Sequence, residues 1–175
     1  MKFSELCLLR ESCRAYDTER KIPDEVLSEI LECARLSPSA CNGQPYHITV
    51  CEGEVAKRVA KATQGMGMNG FASDAPTLIV ISEEQYVKTA ALGAKVKGID
   101  YRSIDIGILS AHITLSAAEL GVGSCILGWL DSDKIVKELS LGGRVHLVIT
   151  LGYPEEDKPP RQKKRKSTEE LITKI

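Results

Sequence analysis

Apolar residues recur at helical spacing in five stretches of the chain and fill extended runs in four. Phe3, Leu6, Cys7 and Leu9 give the first helical stretch, over residues 3–10. Ile22-Pro23 leads into Asp24-Glu25, and Val26, Leu27, Ile30, Leu31 and Ala34 then form one apolar face. Proline at the entry and acids in the first turn suit the exposed N–H groups and positive dipole end of a helix. That helix stops before Ser37-Pro38, because a residue preceding proline avoids helical angles. Residues 46–51 alternate as a strand, and 54–66 read as a helix broken by Gly65, Gly67 and Gly70. Residues 76–82 (P-T-L-I-V-I-S) are continuously apolar, which predicts a central strand. Residues 103–120 are helical and apolar nearly all round, which places them mid-structure or at a subunit contact, and Gly121-Val122-Gly123 ends them. Then come an extended run over 124–130, a short helix over 132–139 and a strong strand over 144–153. The order ααβαβαβαβ plus a tail predicts one α+β domain over 1–175, with helices around a mixed sheet.

The chain has 175 residues, 43% hydrophobic and 27% charged, so a packed core is within reach and disorder is not expected. Aromatics are only 5%, which leaves Leu, Ile, Val and Ala to fill that core. No apolar run approaches the ~20 residues of a membrane span. Glu5, Arg10 and Glu11 interrupt any apolar leader segment, so a cytoplasmic protein without a membrane partner is expected. The net charge of −1 is uneven: residues 158–175 carry seven Lys or Arg against two Glu, net +5, leaving −6 on the other 157. A nucleic-acid surface wants further basic residues and stacking aromatics, which the body lacks; one phosphate group matches this charge better than a polymer. The tail after Pro159-Pro160 reads as extended, with Ser167 and Glu170 spaced as a capping box before Leu171-Ile172.

The six cysteines (Cys7, Cys13, Cys33, Cys41, Cys51, Cys125) form no C-x-x-C pair and have no histidine at ligand spacing, so no metal site or disulfide framework is expected. Most are expected to be small buried residues. His47 and His146 fall in strands and His112 in the apolar helix, the positions of hydrogen-bonded packing residues. Gly-Met-Gly-Met-Asn-Gly at 65–70 lacks the strand and helix that a dinucleotide fingerprint requires. With no nucleophile elbow, P-loop or side-chain triad, demanding chemistry would need a borrowed cofactor.

Three segments bear on which cofactor. In Arg10-Glu11-Ser12-Cys13-Arg14, alternate residues of an extended piece point one way, so Arg10, Ser12 and Arg14 are able to converge on one anion. Arginines compensating a helix C-terminus explain the same pattern. Pro38-Ser39-Ala40-Cys41-Asn42-Gly43-Gln44-Pro45-Tyr46 is a loop of small polar residues fixed by two prolines, able to present amides without bulk. An ordinary helix-to-strand connection explains it equally. The basic stretch 161–166 is a third candidate, against a merely solvated tail.

Taken together these segments resemble the FMN-dependent nitroreductase family, from about Leu8 to the C-terminus. R-E-S-C-R-A-Y is similar to that family's N-terminal R-x-S-x-R-x-[FY], and L-S-P-S-A-C-N-G-Q-P-Y to its P-S-x-x-N-x-Q-P-[WY] loop. S-C-I-L-G-W-L at 124–130 occupies the place of its flavin-edge strand, and V-I-T-L-G-Y-P with Lys163-Lys164-Arg165 that of its closing strand and basic tail. The resemblance implies a nitroreductase-like fold with a mainly antiparallel central sheet, forming a domain-swapped homodimer with an extended C-terminal tail.

It also implies FMN as cofactor, with NADH or NADPH as electron donor. Hydride would then pass in two half-reactions to a nitroaromatic, quinone or activated alkene. By the same resemblance Arg10, Ser12, Lys163 and Arg165 would hold the FMN phosphate and nearby ribityl hydroxyls, with Glu11 beside them. Arg14 would lie at the pyrimidine end of the ring, where a cation offsets negative charge. The backbone of Gly128 with Leu127, next to Ile126, would approach flavin N5. Pro38, Ser39, Ala40, Asn42 and Gln44 would reach the flavin from the partner subunit, and helix 103–120 would lie at the dimer contact. Cys41 and Cys125 would fall near the flavin as structural filler.

Two departures stand out. Where many members carry a polar or basic pair, this chain reads Met68-Asn69-Gly70-Phe71, so Asn69 keeps a polar contact and the basic one is absent. Residues 84–103 leave little room for a helical lid, and Lys88, Lys95, Lys97 and Arg102 there are candidates for a charged substrate or the nicotinamide dinucleotide phosphates. A narrower family activity (reductive dehalogenation or enone reduction) and a non-catalytic flavin-binding or storage role remain open alternatives.

Overall fold

The computed structural model describes residues 1–87, 91, 93, 96–155 and 161–175. Strands β1 (Tyr46–Glu52), β2 (Thr77–Glu83), β3 (Gly123–Leu127) and β4 (Val145–Gly152) form one sheet in the order β1-β2-β4-β3, every pair antiparallel. The helices around it are α1 (Phe3–Leu9), α2 (Asp24–Arg35), α3 (Gly53–Ala62), α4 (Tyr101–Glu119), α5 (Ser132–Leu139) and α6 (Thr168–Leu171). The α+β class is thus observed, and the expected elements occur in their expected order, with helical residues added at Ala91, Gly93, Val96 and Lys97 between β2 and α4. The parallel part of the expected mixed sheet is a single bridge, Ser12 to Ser124.

β2 is buried along its length because both faces of the sheet are covered. Leu78 and Val80 meet the layer of α3 and α5, with Ala56, Val59 and Ile135. Ile79 and Ile81 meet the layer of α2 and α4, with Ile30, Ile106, Leu109 and Ile113. Each of these fully buried Ile or Leu side chains contributes about 1.5–3 kcal/mol, and that two-sided burial is why the run from 76 to 82 shows no alternation.

Two boundaries differ from the expected ones. α3 ends at Ala62 rather than 66, because the Thr63 N–H and hydroxyl both donate to the Ala60 carbonyl, at 2.9 and 2.8 Å. Gly65–Gly67 then makes a separate 3-10 turn with Met66 at φ 54°. β3 ends at Leu127 rather than 130, since the Asp131 N–H donates to the Ala62 carbonyl at 2.8 Å and draws the chain toward α3. Among the described residues, no helix is long and apolar enough to cross a membrane.

α4 is less uniformly apolar in its setting than in its composition. Ile106, Leu109, Ile113 and Ala117 are buried against the sheet. Ser110, Thr114 and Ser116 are buried with them, and each hydroxyl donates to the carbonyl four residues back, at 2.7 to 2.9 Å. The opposite face leaves Ile104, Gly107 and Ala111 exposed.

Candidate functional site

Beyond β3 the sheet is extended by residues 12–17. Ser12 bridges Ser124, the Cys13 N–H donates to the Ser124 carbonyl at 2.9 Å, and Tyr16 bridges Pro154. The segment is pinned from inside by Tyr16, whose buried hydroxyl lies 2.6 Å from Thr150 Oγ1 and 3.0 Å from the Cys13 carbonyl. Close approach fixes one glycine. A Cβ on Gly123 would sit 2.9 Å from both Cβ and Sγ of Cys13. Cys13 is buried, Arg14 is exposed, and Arg10, Glu11 and Ser12 are part-exposed.

The C-terminal tail returns to this edge. The Lys163 ammonium donates to the Arg10 carbonyl, and the Arg161 guanidinium donates to the Ser12 carbonyl. The Arg161 N–H donates to Glu11 Oε2 at 3.0 Å, and the two side chains form a 3.8 Å ion pair. Residues 10–12, 14 and 161–165 line one cavity of about 300 Å3. Six of those residues are cations (Arg10, Arg14, Arg161, Lys163, Lys164, Arg165) and one, Glu11, is an acid. Desolvation first, and then the neighbouring charges of Arg10 and Arg165, push the Lys163 pKa down. Such a surface accommodates an anion readily, because an added negative charge relieves like-charge repulsion.

Arg10, Glu11, Ser12, Arg14, Lys163 and Arg165, which the family resemblance groups around the flavin, line one cavity. Arg161 was passed over as an individual residue. Its signal was the unpaired acid Glu11 in a segment that otherwise asks for cations.

Beside this cavity the chain presents an exposed edge. Arg14 is exposed and lies 5.8 Å over the Phe71 ring. Ile126 is 42% and Trp129 48% exposed, with exposed Gly128 between them and Leu127 buried beneath. The Asn69 side chain donates from Nδ2 to the carbonyls of Thr63 and Trp129, at 3.0 and 3.2 Å. Its amide group is thereby committed to the Thr63 and Trp129 backbone, tying the end of α3 to the 128–130 segment, which leaves Oδ1 as its polar atom for a ligand. The Trp129 indole packs on Gly65, where a Cβ would meet Nε1 at 2.6 Å.

The residues from Pro38 to Gln44 are not brought to this edge. They precede β1, the strand on the opposite side of the sheet. Strand β1 itself lies four strand spacings of ~4.8 Å, about 19 Å, from Ser12. Here Cys41, Asn42 and Gln44 hold left-handed angles, φ 52°, 53° and 43°. The turn is closed by the Gln44 N–H donating to Ser39 Oγ at 3.0 Å and Gln44 Nε2 donating to the Asn42 carbonyl at 2.9 Å. Asp105 of α4 accepts the Ala40 N–H at 2.9 Å.

Other expectations resolve individually. Cys13, Cys51 and Cys125 are buried, and burial raises each thiol pKa, that of Cys51 to about 11. Cys7 and Cys41 are exposed, against expectation, because α1 buries only Leu6 and Cys41 sits in the projecting turn. His112 Nδ1 lies 3.2 Å from the Cys33 carbonyl and His146 Nε2 3.0 Å from Glu83, while His47 is exposed on edge strand β1 and is not a packing residue. Arg102 is engaged rather than free: its guanidinium pairs with Glu83 at 2.6 Å and lies 4.5 Å over the Tyr86 ring. Lys97 is exposed; Lys88, Lys95, Lys158, Pro159 and Pro160 lie outside the described residues. Among the described residues, no three His, Cys, Asp or Glu side chains are grouped to hold a metal ion.

Comparison with known proteins agrees with this architecture. The nitroreductase family model matches residues 9–67 and 63–153. A protein of Archaeoglobus fulgidus, provisionally described as an NADH dehydrogenase/NAD(P)H nitroreductase, is 33% identical over 156 residues, covering 85% of this chain and 83% of its own. The crystal structure of a nitroreductase family protein from Streptococcus pneumoniae superposes with a TM-score of 0.83 at 25% identity, covering 99% of this chain and 100% of that one. An FMN-dependent nitroreductase from Clostridium difficile gives a TM-score of 0.69 at 26% identity, with 93% and 90% coverage. With the family model spanning most of the fold and the relatives matched nearly end to end, the chain belongs to the nitroreductase family.

Proposed function

We propose that this chain is an FMN-dependent NAD(P)H oxidoreductase that reduces a small-molecule acceptor such as a nitroaromatic, quinone or activated alkene. The observation that carries the reading is the cavity of six cations and one acid on the outer edge of β3. Its donor set fits a phosphate monoester: guanidinium and ammonium groups with the Ser12 hydroxyl. The names of the relatives point the same way, toward NAD(P)H in one and FMN in another.

Arg10, Ser12, Lys163 and Arg165 would hold the phosphate end, with Arg161 and Glu11 clamping the tail over it. Arg14, Asn69, Ile126, Leu127 and Gly128 would receive the ring. Bound flavin supplies a centre that takes hydride from a reduced nicotinamide and returns it to the acceptor. The protein's part is orientation and charge. Arg14 sets a cation at the ring edge, where negative charge collects on reduction. Gly128 exposes main chain without a side chain to fend off a planar ligand, its nearest outside neighbour to an added Cβ being Leu147 Cδ2 at 3.9 Å. Cys125, buried and protonated under the edge, packs rather than reacts.

The chain works as a homodimer in this reading, over residues 1–175 as one domain. The 38–44 turn leads into β1, at the opposite edge of the sheet from the cation cavity, and, as the family resemblance implies, Pro38, Ser39, Ala40, Asn42 and Gln44 serve the flavin held by the second copy. The exposed face of α4 (Ile104, Gly107, Ala111) supplies a contact, with small residues that let two helices approach closely.

The test is the visible spectrum of the purified protein, followed by anaerobic addition of NADH and then NADPH. A yellow protein bleached by either nucleotide is the expected result, and screening then identifies the acceptor. A yellow protein that stays oxidised with both would make it a flavin binder. A colourless protein that takes up no added FMN would overturn the reading.

A further inference from the structure

Asp105 is the one charged side chain among the described residues that is fully buried, at 2% exposure. It lies in the second turn of α4. Its Oδ1 accepts the Ala40 N–H at 2.9 Å, and its Oδ2 is sealed from solvent with no hydrogen-bond partner. A buried carboxylate with a single partner costs several kcal/mol, and an apolar side chain of similar size commonly does better for stability alone. Packing therefore does not account for Asp105. What it holds is informative: the one bond it makes fixes the start of the Ser39–Gln44 turn.

That turn is costly in its own right. Cys41, Asn42 and Gln44 are non-glycine residues at φ 52°, 53° and 43°, each disfavoured unless the surroundings over-determine it. Two of its restraints, Ser39 to Gln44 and Gln44 to Asn42, are internal to the turn. Asp105 supplies a restraint from the rigid body, across 65 residues of sequence.

We propose that Asp105 is a positioning residue for the cofactor site of the second copy. Its carboxylate locks the Ser39–Gln44 turn into the left-handed shape that presents this turn to the flavin. The inference rests on the reading that the 38–44 turn meets FMN across the dimer; the hold on the turn itself stands on the geometry of one chain.

Two variants separate this role from a structural one. Asp105→Asn keeps an oxygen for the Ala40 N–H and removes the charge. Asp105→Leu fills the same space and removes the acceptor. In flavin-free protein, Asp105→Leu is expected to melt at or above the wild-type temperature while the Ala40 amide exchanges at least tenfold faster. Its FMN dissociation constant is expected to rise at least tenfold. Asp105→Asn is expected to stay within threefold of wild type in both exchange and affinity.

The proposal is overturned if Asp105→Leu keeps Ala40 protected and FMN bound within threefold. It is also overturned if a folded Asp105→Asn loses as much affinity as Asp105→Leu. If Asp105→Leu does not fold, Asp105→Ala, which also removes the acceptor for the Ala40 N–H, takes its place under the same limits on exchange and affinity. Arg10→Ala titrated alongside distinguishes the two levels. If neither wild type nor Arg10→Ala responds to FMN, the cofactor reading fails, and Ala40 exchange still judges the hold of Asp105 on the turn.

Discussion

Arg10→Ala separates the binding of an anion from the stability of the site that binds it. Arg10 caps the end of α1 and lines the cation cavity. Among the described residues its guanidinium makes no ion pair or hydrogen bond; the bond to Lys163 is made by its backbone carbonyl and survives truncation. The flavin-free protein should therefore change by less than about 0.5 kcal/mol. Removing one positive neighbour should also let the Lys163 pKa move back up, since Arg10 is among the causes of its lowering. Against a bound phosphate the same change deletes a charge-assisted hydrogen bond of about 1.5–3 kcal/mol. That corresponds to roughly 10- to 150-fold in FMN dissociation constant. Fluorescence titration of FMN at low and high salt is the assay. The gap between wild type and variant should narrow with salt, because the screening length falls from about 10 Å at 0.1 M to about 3 Å at 1 M. Unchanged affinity at low salt would refute the phosphate assignment. A large drop in melting temperature with the affinity loss would show that Arg10 holds the segment rather than the ligand.

Other changes test other parts. Gly128→Val should change melting little, since a Cβ there meets, apart from its chain neighbours, only Leu147 Cδ2 at 3.9 Å, yet abolish NAD(P)H-dependent bleaching. Ala111→Arg, on the exposed face of α4, should yield monomers in sedimentation and weaken FMN binding with them. Tyr16→Phe removes the buried hydroxyl shared with Thr150 and the Cys13 carbonyl, for about 1–3 kcal/mol. At this chain length that is a fall of roughly 2–4 °C in Tm per kcal/mol. The Glu83 carboxyl is held below its ordinary value of 4.5, first by the His146 hydrogen bond and then by Arg102, against its own desolvation. A lowered acid contributes stability above pH 4.5 and loses it as pH falls through the folded-state value. Urea unfolding of Glu83→Gln should accordingly show a weaker loss of stability below pH 4.5 than wild type does.

Periodicity reported the elements because burial here is simple. Two-sided cover makes β2 an unbroken apolar run, and one-sided cover gives α2 its stripe of Leu27, Ile30 and Ala34. What periodicity does not carry is where an element stops for a local reason. Thr63 folding back on Ala60 ends α3 early, and nothing in the apolar spacing of 54–66 announces it. The site divides along the same line. Arg10, Ser12 and Arg14 are legible from alternation and the basic tail from charge imbalance, but their meeting with Lys163 and Arg165 only from the family resemblance. Arg161 on Glu11 and Asn69 on Trp129 are pairings between distant segments, 150 and 60 residues apart, that no local pattern encodes. Asp105 was hidden for a different reason: inside an apolar helix an isolated acid looks like a solvent-facing residue until its burial is known.

The placement of the two motif segments constrains how any site here is built. Both precede strands or run beside them, but they flank opposite edges of the same four-stranded sheet. A rigid sheet covered on both faces cannot fold its edges together, because doing so would break the β2–β4 pairing and expose Ile79, Ile81 and Ile149. Either the segments serve two separate tasks, or two chains lie antiparallel so that each edge meets the other's partner. The second arrangement also uses apolar surface that one chain leaves uncovered: Phe3 and Leu8 of α1, Ile104 of α4, and Leu171 and Ile172 at the tail, each more than half exposed. A two-fold dimer uses the same patch on both chains and generates two equivalent sites from one interface. Cofactor affinity and dimerisation are then linked. Dilution that separates the chains should release FMN, and saturating FMN should shift the sedimentation equilibrium toward the dimer by the same free energy.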